Sequence, residues 1–192
     1  MIFKRIAQKI LPNNPHKHTG RVRIEYGSLL SQDDCEAVLF FMHPNLKWGG
    51  GLNRAVLDLA GPELDEYILS HVTTPRSGEV FALPPFETGY KALFVAILAD
   101  WDGGNGFEER DLLDCYRLTV LKAQDMGIRV LGIPAMGRDK RDFPHIRFAR
   151  VALRGILQRL DERMDYVKIM CVDHTMMATY QTQMKKIQRH GT

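Results

Sequence analysis

Cysteine is scarce in this chain of 192 residues. Cys35, Cys115 and Cys171 lie far apart, odd in number and without any C-x-x-C spacing. That excludes a disulfide framework and a cysteine-built zinc site, and leaves all three to be read as small buried hydrophobes. Long apolar runs are missing too: none approaches the ~20 residues a transmembrane helix requires. Charge of one sign is not in large excess either. Against 23 acidic residues stand 26 Lys and Arg, a formal +3, too small a bias by itself to mark a nucleic-acid-binding protein. With 45% hydrophobic and 26% charged residues, the composition excludes a disordered chain, a collagen and a coiled coil. A single domain is expected at this length, burying roughly 70% of its unfolded surface. A cytoplasmic location, no membrane partner, no metal and no cofactor are the matching expectations.

The charge that is present is unevenly placed. Residues 1–24 hold Lys4, Arg5, Lys9, Lys17, Arg21 and Arg23 and no acid. Residues 138–163 hold eight basic and four acidic side chains, so the remainder of the chain is net negative. Met1–Leu11 is amphipathic but lacks the continuous apolar stretch of a secretory signal. With the turn-rich Pro12–His18 it reads as a basic appendage over residues 1–20, containing a short helix, before a single domain over residues 21–192.

From residue 21 onward, strand-like and helix-like segments alternate. Arg21–Tyr26 alternates polar and apolar as a half-buried strand does, and Glu36–Met42 is the nearly continuous apolar run of a strand covered on both faces. Helical spacing follows from Leu52 to Gly61, then in Glu63–Ser70, Phe107–Met126, Pro144–Leu160 and Thr175–Gln188. Strands are expected at Glu79–Leu83, Ala92–Leu98, Ile128–Ile133 and Tyr166–Val172. This order predicts an α/β fold: a three-layer α/β/α sandwich around a mixed, mostly parallel sheet. In such sheets ligands bind at the C-terminal edge of the strands.

Two strand-to-helix loops there can carry chemistry. In His43–Asn53 (HPNLKWGGGLN), Gly49, Gly50 and Gly51 open a helix. Either their backbone N–H groups cradle an anion, or the loop simply needs positive φ at several residues. Pro134–Pro144 (PAMGRDKRDFP) sets Arg138, Lys140 and Arg141 beside Asp139 and Asp142. It is either an anion site before a helix or a solvated loop whose charges neutralise one another.

Several segments carry a resemblance: Glu36–His43 (EAVLFFMH), the three glycines and Ala60–Leu64 (AGPEL). Gly78–Pro84 (GEVFALP), Trp101–Glu109 (WDGGNGFEE), Asp111–Ala123 (DLLDCYRLTVLKA) and Pro134–Gly137 (PAMG), with Phe143 and Pro144, continue it. In order and spacing they resemble the macrodomain, an ADP-ribose-binding module, from about Arg21 to Tyr180. Departures mark a divergent member. The family's adenine-reading Asp after the first-strand glycine is Ser28, following Gly27. The last Asn of its N-A-A-N motif is His43, with Asn45 two residues on as a stand-in. One hydrolase branch carries a catalytic Asp where this chain has Asn53. The second loop, glycine-rich in the family, reads GRDKRDFP over Gly137–Pro144.

The resemblance implies a protein that binds ADP-ribose or a related nucleoside diphosphate. Its implied ligand residues are Gly27, Ser28, His43, Asn45, Gly49, Gly50, Gly51, Leu52 and Asn53. From the second loop they are Gly137, Arg138, Asp139, Lys140, Arg141, Asp142 and Phe143. An ADP-ribosylated protein is a further implied partner, and His174 lies where some members contact adenine. One alternative is hydrolysis of ADP-ribosyl or O-acyl-ADP-ribose groups, with His43 and Asp139 as catalytic candidates. Another is a degenerate module that meets RNA or protein, for which Arg147, Arg150 and Arg154 share a helix face.

Overall fold

A computed structural model describes residues 17–104, 106–136 and 144–190. The expected first helix and most of its linker therefore lie outside the described residues, as does the second loop from Gly137 to Phe143. The strands are β1 (Val22–Tyr26), β2 (Ala37–Met42), β3 (Val80–Leu83), β4 (Ala92–Ile97), β5 (Val130–Pro134) and β6 (Tyr166–Cys171). The helices are α1 (Leu52–Ala60), α2 (Glu63–His71), α3 (Glu108–Asp125), α4 (His145–Leu157) and α5 (His174–His190), and short 3-10 turns cover Thr19–Arg21 and Leu29–Ser31.

The strands form one sheet in the order β1-β6-β5-β2-β4-β3. All neighbours are parallel except β3 and β4. That exception follows from chain length, because residues 84–91 are too few for the dozen-residue crossover a parallel partner needs. β2 and β4 are buried along their whole length, as the apolar runs require. Leu39 and Phe41 face one core, with Tyr116 and Phe148 beneath α3, α4 and α5. Val38, Phe40 and Met42 face the other, with Val56, Leu64 and Ile68 of α1 and α2 and with Leu29 and Cys35 of the turn after β1. The expected three-layer α/β/α architecture is what the chain adopts.

The boundaries shift by a few residues. α4 stops at Leu157 rather than Leu160, where Arg159 N–H turns back to the Ile156 carbonyl. No helix among the described residues is long and apolar enough to cross a membrane.

Candidate functional site

The ends of β1, β6, β5 and β2 line one edge of the sheet, and two corners face each other along it. The first follows β1. Gly27 has φ +142°, a conformation side chains rarely adopt, and its N–H donates to the Cys171 carbonyl at 2.9 Å. The glycine thus folds the chain sharply off the strand end. Ser28 is exposed and extended, and its hydroxyl makes no capping bond to the following turn. Beside this corner Tyr26 and His174 stack with ring centroids 4.4 Å apart and 14° between planes. Tyr26 keeps 55% of its surface exposed. His174 thus lies at this corner, beside Tyr26, which sequence reasoning did not single out. Alternation in the strand sets Tyr26 in register with the inward-facing Val22 and Ile24, so the sequence carried no signal of its exposure.

The second corner follows β2. It lies three strand positions from β1, or roughly 14 Å at ~4.8 Å per strand. The His43 carbonyl accepts the Leu46 N–H at 2.9 Å, His43 Nδ1 accepts the Asn45 N–H at 3.2 Å, and Asn45 Oδ1 accepts the Lys47 N–H at 3.0 Å. These turns hold Leu46 at φ +55°. His43 Nε2 points toward Asp100 Oδ2 at 3.9 Å. An imidazole whose Nδ1 accepts carries its proton on Nε2 when neutral. His43 is therefore arranged to donate from Nε2.

Trp48 turns away from this edge. Its indole N–H donates to Asp65 Oδ1 on α2 at 2.7 Å, and its ring lies over Phe40. It closes the core under the loop, leaving the glycines bare. A Cβ added at Gly49, Gly50 or Gly51 would meet nothing within 4 Å, so packing does not demand glycine at these positions. Gly51 needs it for φ +60°. It caps α1 without a side-chain bond, so no capping side chain covers the first backbone N–H groups of α1, Leu52 and Asn53 among them. Exposed backbone donors at a helix start, with the helix dipole behind them, favour an anion.

The Asn53 side chain is engaged within the fold. Its Nδ2 donates to the Phe41 carbonyl at 2.8 Å, tying α1 to the end of β2. Asn53→Asp would set a carboxylate against that carbonyl. It is expected to lower stability by about 1–3 kcal/mol, read as an earlier urea midpoint with an unchanged slope.

The structure thus gathers Gly27 and Ser28 at one corner, and His43, Asn45, Gly49, Gly50, Gly51, Leu52 and Asn53 at the other. Gly137, Arg138, Asp139, Lys140, Arg141, Asp142 and Phe143 lie outside the described residues. The cysteines are inert: burial pushes the Cys35 thiol up to about 11 and the Cys171 thiol up to about 12, and Cys115 is buried. Among the described residues no cluster of His, Cys, Asp and Glu could hold a metal ion.

Comparison with known proteins places this edge in context. Residues 42–152 match the Macro domain family model. An uncharacterized protein of Thermoplasma acidophilum is 29% identical over 160 residues, spanning 79% of this chain and 80% of that one. The O-acetyl-ADP-ribose deacetylase of Salmonella typhimurium is 26% identical over 141 residues, spanning 72% of this chain and 78% of that one. Among solved structures, the Oceanobacillus iheyensis macrodomain with ADP superposes with a TM-score of 0.77 at 21% identity, covering 86% of this chain and 90% of that one. The Trypanosoma brucei macrodomain in complex with ADP-ribose gives 0.72 at 18% identity, covering 90% and 72%. A family match across more than half its length, on a sheet of this order, shows that the chain belongs to the macro domain family.

Proposed function

We propose that this protein binds ADP-ribose or a closely related nucleoside diphosphate along the C-terminal edge of its sheet. One observation carries the proposal: the bare Gly49–Gly51 backbone runs into the uncapped start of α1, facing the Gly27–Ser28 corner three strands away. The base end lies at Ser28 and the Tyr26–His174 stack, and the phosphates lie against Gly49, Gly50, Gly51, Leu52 and Asn53. Residues 137–143 supply the second phosphate-side loop, with Lys140 and Arg141 as charged donors where the family carries backbone ones. Residues 21–192 act as one domain in this role. ADP bound to the Oceanobacillus iheyensis structure and ADP-ribose bound to the Trypanosoma brucei structure support the ligand class.

Isothermal titration with ADP-ribose is the test. Measurable heat and a raised melting temperature are expected, because a ligand of the native state must stabilise it. Ser28→Asp offers a base amine a charged acceptor in place of a neutral one and is expected to tighten binding about tenfold. No heat and no stabilisation at millimolar ligand contradict the proposal.

A second reading, removal of an acyl group from ADP-ribose by water, is favoured by the His43 geometry. Its Nε2–H, directed at Asp100, is placed to hydrogen-bond the oxygen on which charge develops as water attacks the acyl group. Relatives named O-acetyl-ADP-ribose deacetylase support the reaction class. Under this reading His43→Ala lowers turnover of O-acetyl-ADP-ribose by about 100-fold or more, and Asp139→Ala lowers it similarly if that carboxylate positions water. Unchanged rates in both variants remove these two residues from the chemistry.

A further inference from the structure

α4 and α5 pack side by side in the same outer layer and contain no acidic residue at all. They carry Arg147, Arg150, Arg154, Lys185, Lys186 and Arg189, so these two helices alone exceed the +3 of the entire chain. Arg147 is engaged: its Nε donates to Glu109 at 2.6 Å and its guanidinium lies over Trp101. The other five are exposed and form no ion pair among the described residues. Nor do the flanking acids reach them. Asp114 is held by Arg117, Asp125 and Asp161 by Arg163, Glu162 by Lys17, and Asp165 by Arg129. Among the described residues, the outer face of α4 and α5 is therefore a cationic surface without ion-pair partners, on a chain whose remaining residues are net negative.

We propose that this face docks the phosphate backbone of double-stranded DNA without reading its bases. The rows fit a duplex in dimension. Arg150 and Arg154 are four residues apart on one helix, and Lys185 and Arg189 four apart on the next. Each row spans roughly 6 Å at 1.5 Å per residue, close to two phosphates of one strand at ~3.4 Å each. Helices in contact stand ~8–10 Å apart, within side-chain reach of phosphate rows bordering a groove roughly 6–12 Å wide. The surface also lacks what other partners need. Among the described residues, Ile146 at the start of α4 is the one exposed large hydrophobic residue on these helices, and α5 has none. A protein partner would want aromatic or aliphatic anchors at the centre of the contact. A membrane would want an apolar face beside the basic one. A single strand would want exposed aromatics along the basic rows on which to stack its bases, yet Phe148 and Tyr180 are both buried and the exposed Tyr26–His174 stack stands at the first residue of α5, at the far end from Lys185 and Arg189.

The test is fluorescence anisotropy of a labelled 20-base-pair DNA duplex with the full chain between 50 and 200 mM NaCl. Log affinity is expected to fall against log salt with a slope of about −3 or steeper, as neutralising three to five phosphates requires. The double variant Arg154→Gln, Lys185→Gln is expected to bind about tenfold more weakly at 100 mM salt. Its slope should be shallower by about 1.8, with a melting temperature equal to that of the parent. Arg76→Gln, an exposed cation away from these helices, leaves both quantities unchanged. ADP-ribose at saturation leaves duplex affinity within about twofold, which separates this face from the nucleotide site. The proposal is overturned by absence of duplex binding at low salt, by parental affinity in the double variant, or by displacement with ADP-ribose. A single strand bound more tightly than the duplex overturns it as well, as do vesicles with 30% phosphatidylserine bound where DNA is not.

Discussion

Gly155→Val is expected to lower stability by about 3 kcal/mol, near the upper end of what overpacking costs. Gly155 sits inside α4, where a glycine is ordinarily a weakness of about 1 kcal/mol relative to alanine. Here the helices need it. A Cβ at this position would stand 2.9 Å from the Leu113 carbonyl oxygen and 3.0 Å from Tyr116 Cβ on α3. Carbonyl oxygen is backbone and cannot rotate away, so α3 and α4 must separate. Tyr116 and Phe148, which meet edge to face across that seam at 6.2 Å, would separate with them. For a chain of this size the loss corresponds to roughly 6–12 °C in melting temperature. Even Gly155→Ala is expected to destabilise, reversing the sign that helix propensity alone implies. Calorimetry of the two variants checks both signs, and a Gly155→Ala protein more stable than the parent would show that the helices have slack.

The second large effect is an asymmetry at Lys168. This lysine lies in β6 with 5% of its surface exposed. Its ammonium donates to Asp34 at 2.7 and 2.8 Å and to Gln32 at 3.1 Å, with Glu25 at 3.5 Å. Tyr166 adds its hydroxyl to the same Asp34 carboxylate at 2.6 Å. Asp34→Ala leaves a buried cation with weaker partners and is expected to cost about 2–3 kcal/mol. Lys168→Met leaves only a half-exposed carboxylate and is expected to stay within about 1 kcal/mol of the parent. The segment between β1 and β2 is what this cluster holds, so Asp34→Ala should also loosen the Gly27–Ser28 corner. Hydrogen bonds from Lys168 and Tyr166 keep the Asp34 carboxyl below the usual carboxylate range. Its contribution is therefore complete above about pH 4 and is lost as the pH falls further, through its lowered folded value. Urea titrations of parent and Asp34→Ala at pH 7 and pH 3 should converge as the solution is acidified. A constant gap between them would contradict the assignment.

Much of the fold was legible because burial writes itself into runs of one kind. EAVLFFM fits a strand covered on both faces and ALFVAIL reads as a strand, and alternation with amphipathic helices made a mostly parallel sheet the natural solution. The glycine triplet was legible only in part: it left open an anion cradle or positive φ at several residues, and of the three glycines Gly51 alone has positive φ. What escaped were relations between distant residues. The Tyr26–His174 stack joins residues at opposite ends of the domain and exists only because β1 and β6 are neighbours. Lys168 sits in the strand YVKIMC with no partner encoded nearby, and its partners Gln32 and Asp34 come from the turn after β1. Asn53 suggested a lost base from its alignment, yet its amide holds a strand end through a bond no pattern encodes. The arginines of α4 were legible as a stripe. That α5 continues it, and that nearby acids are engaged elsewhere, needed the packing of the helices.

The most direct measurement of nucleotide binding is an amide NMR titration of isotope-labelled protein with ADP-ribose. Binding as proposed moves the resonances of Gly27, Ser28 and Gly49 through Asn53, and leaves α4 and α5 beyond their first turns in place. No movement at millimolar ligand, or movement confined to the basic face of α4 and α5, would contradict it.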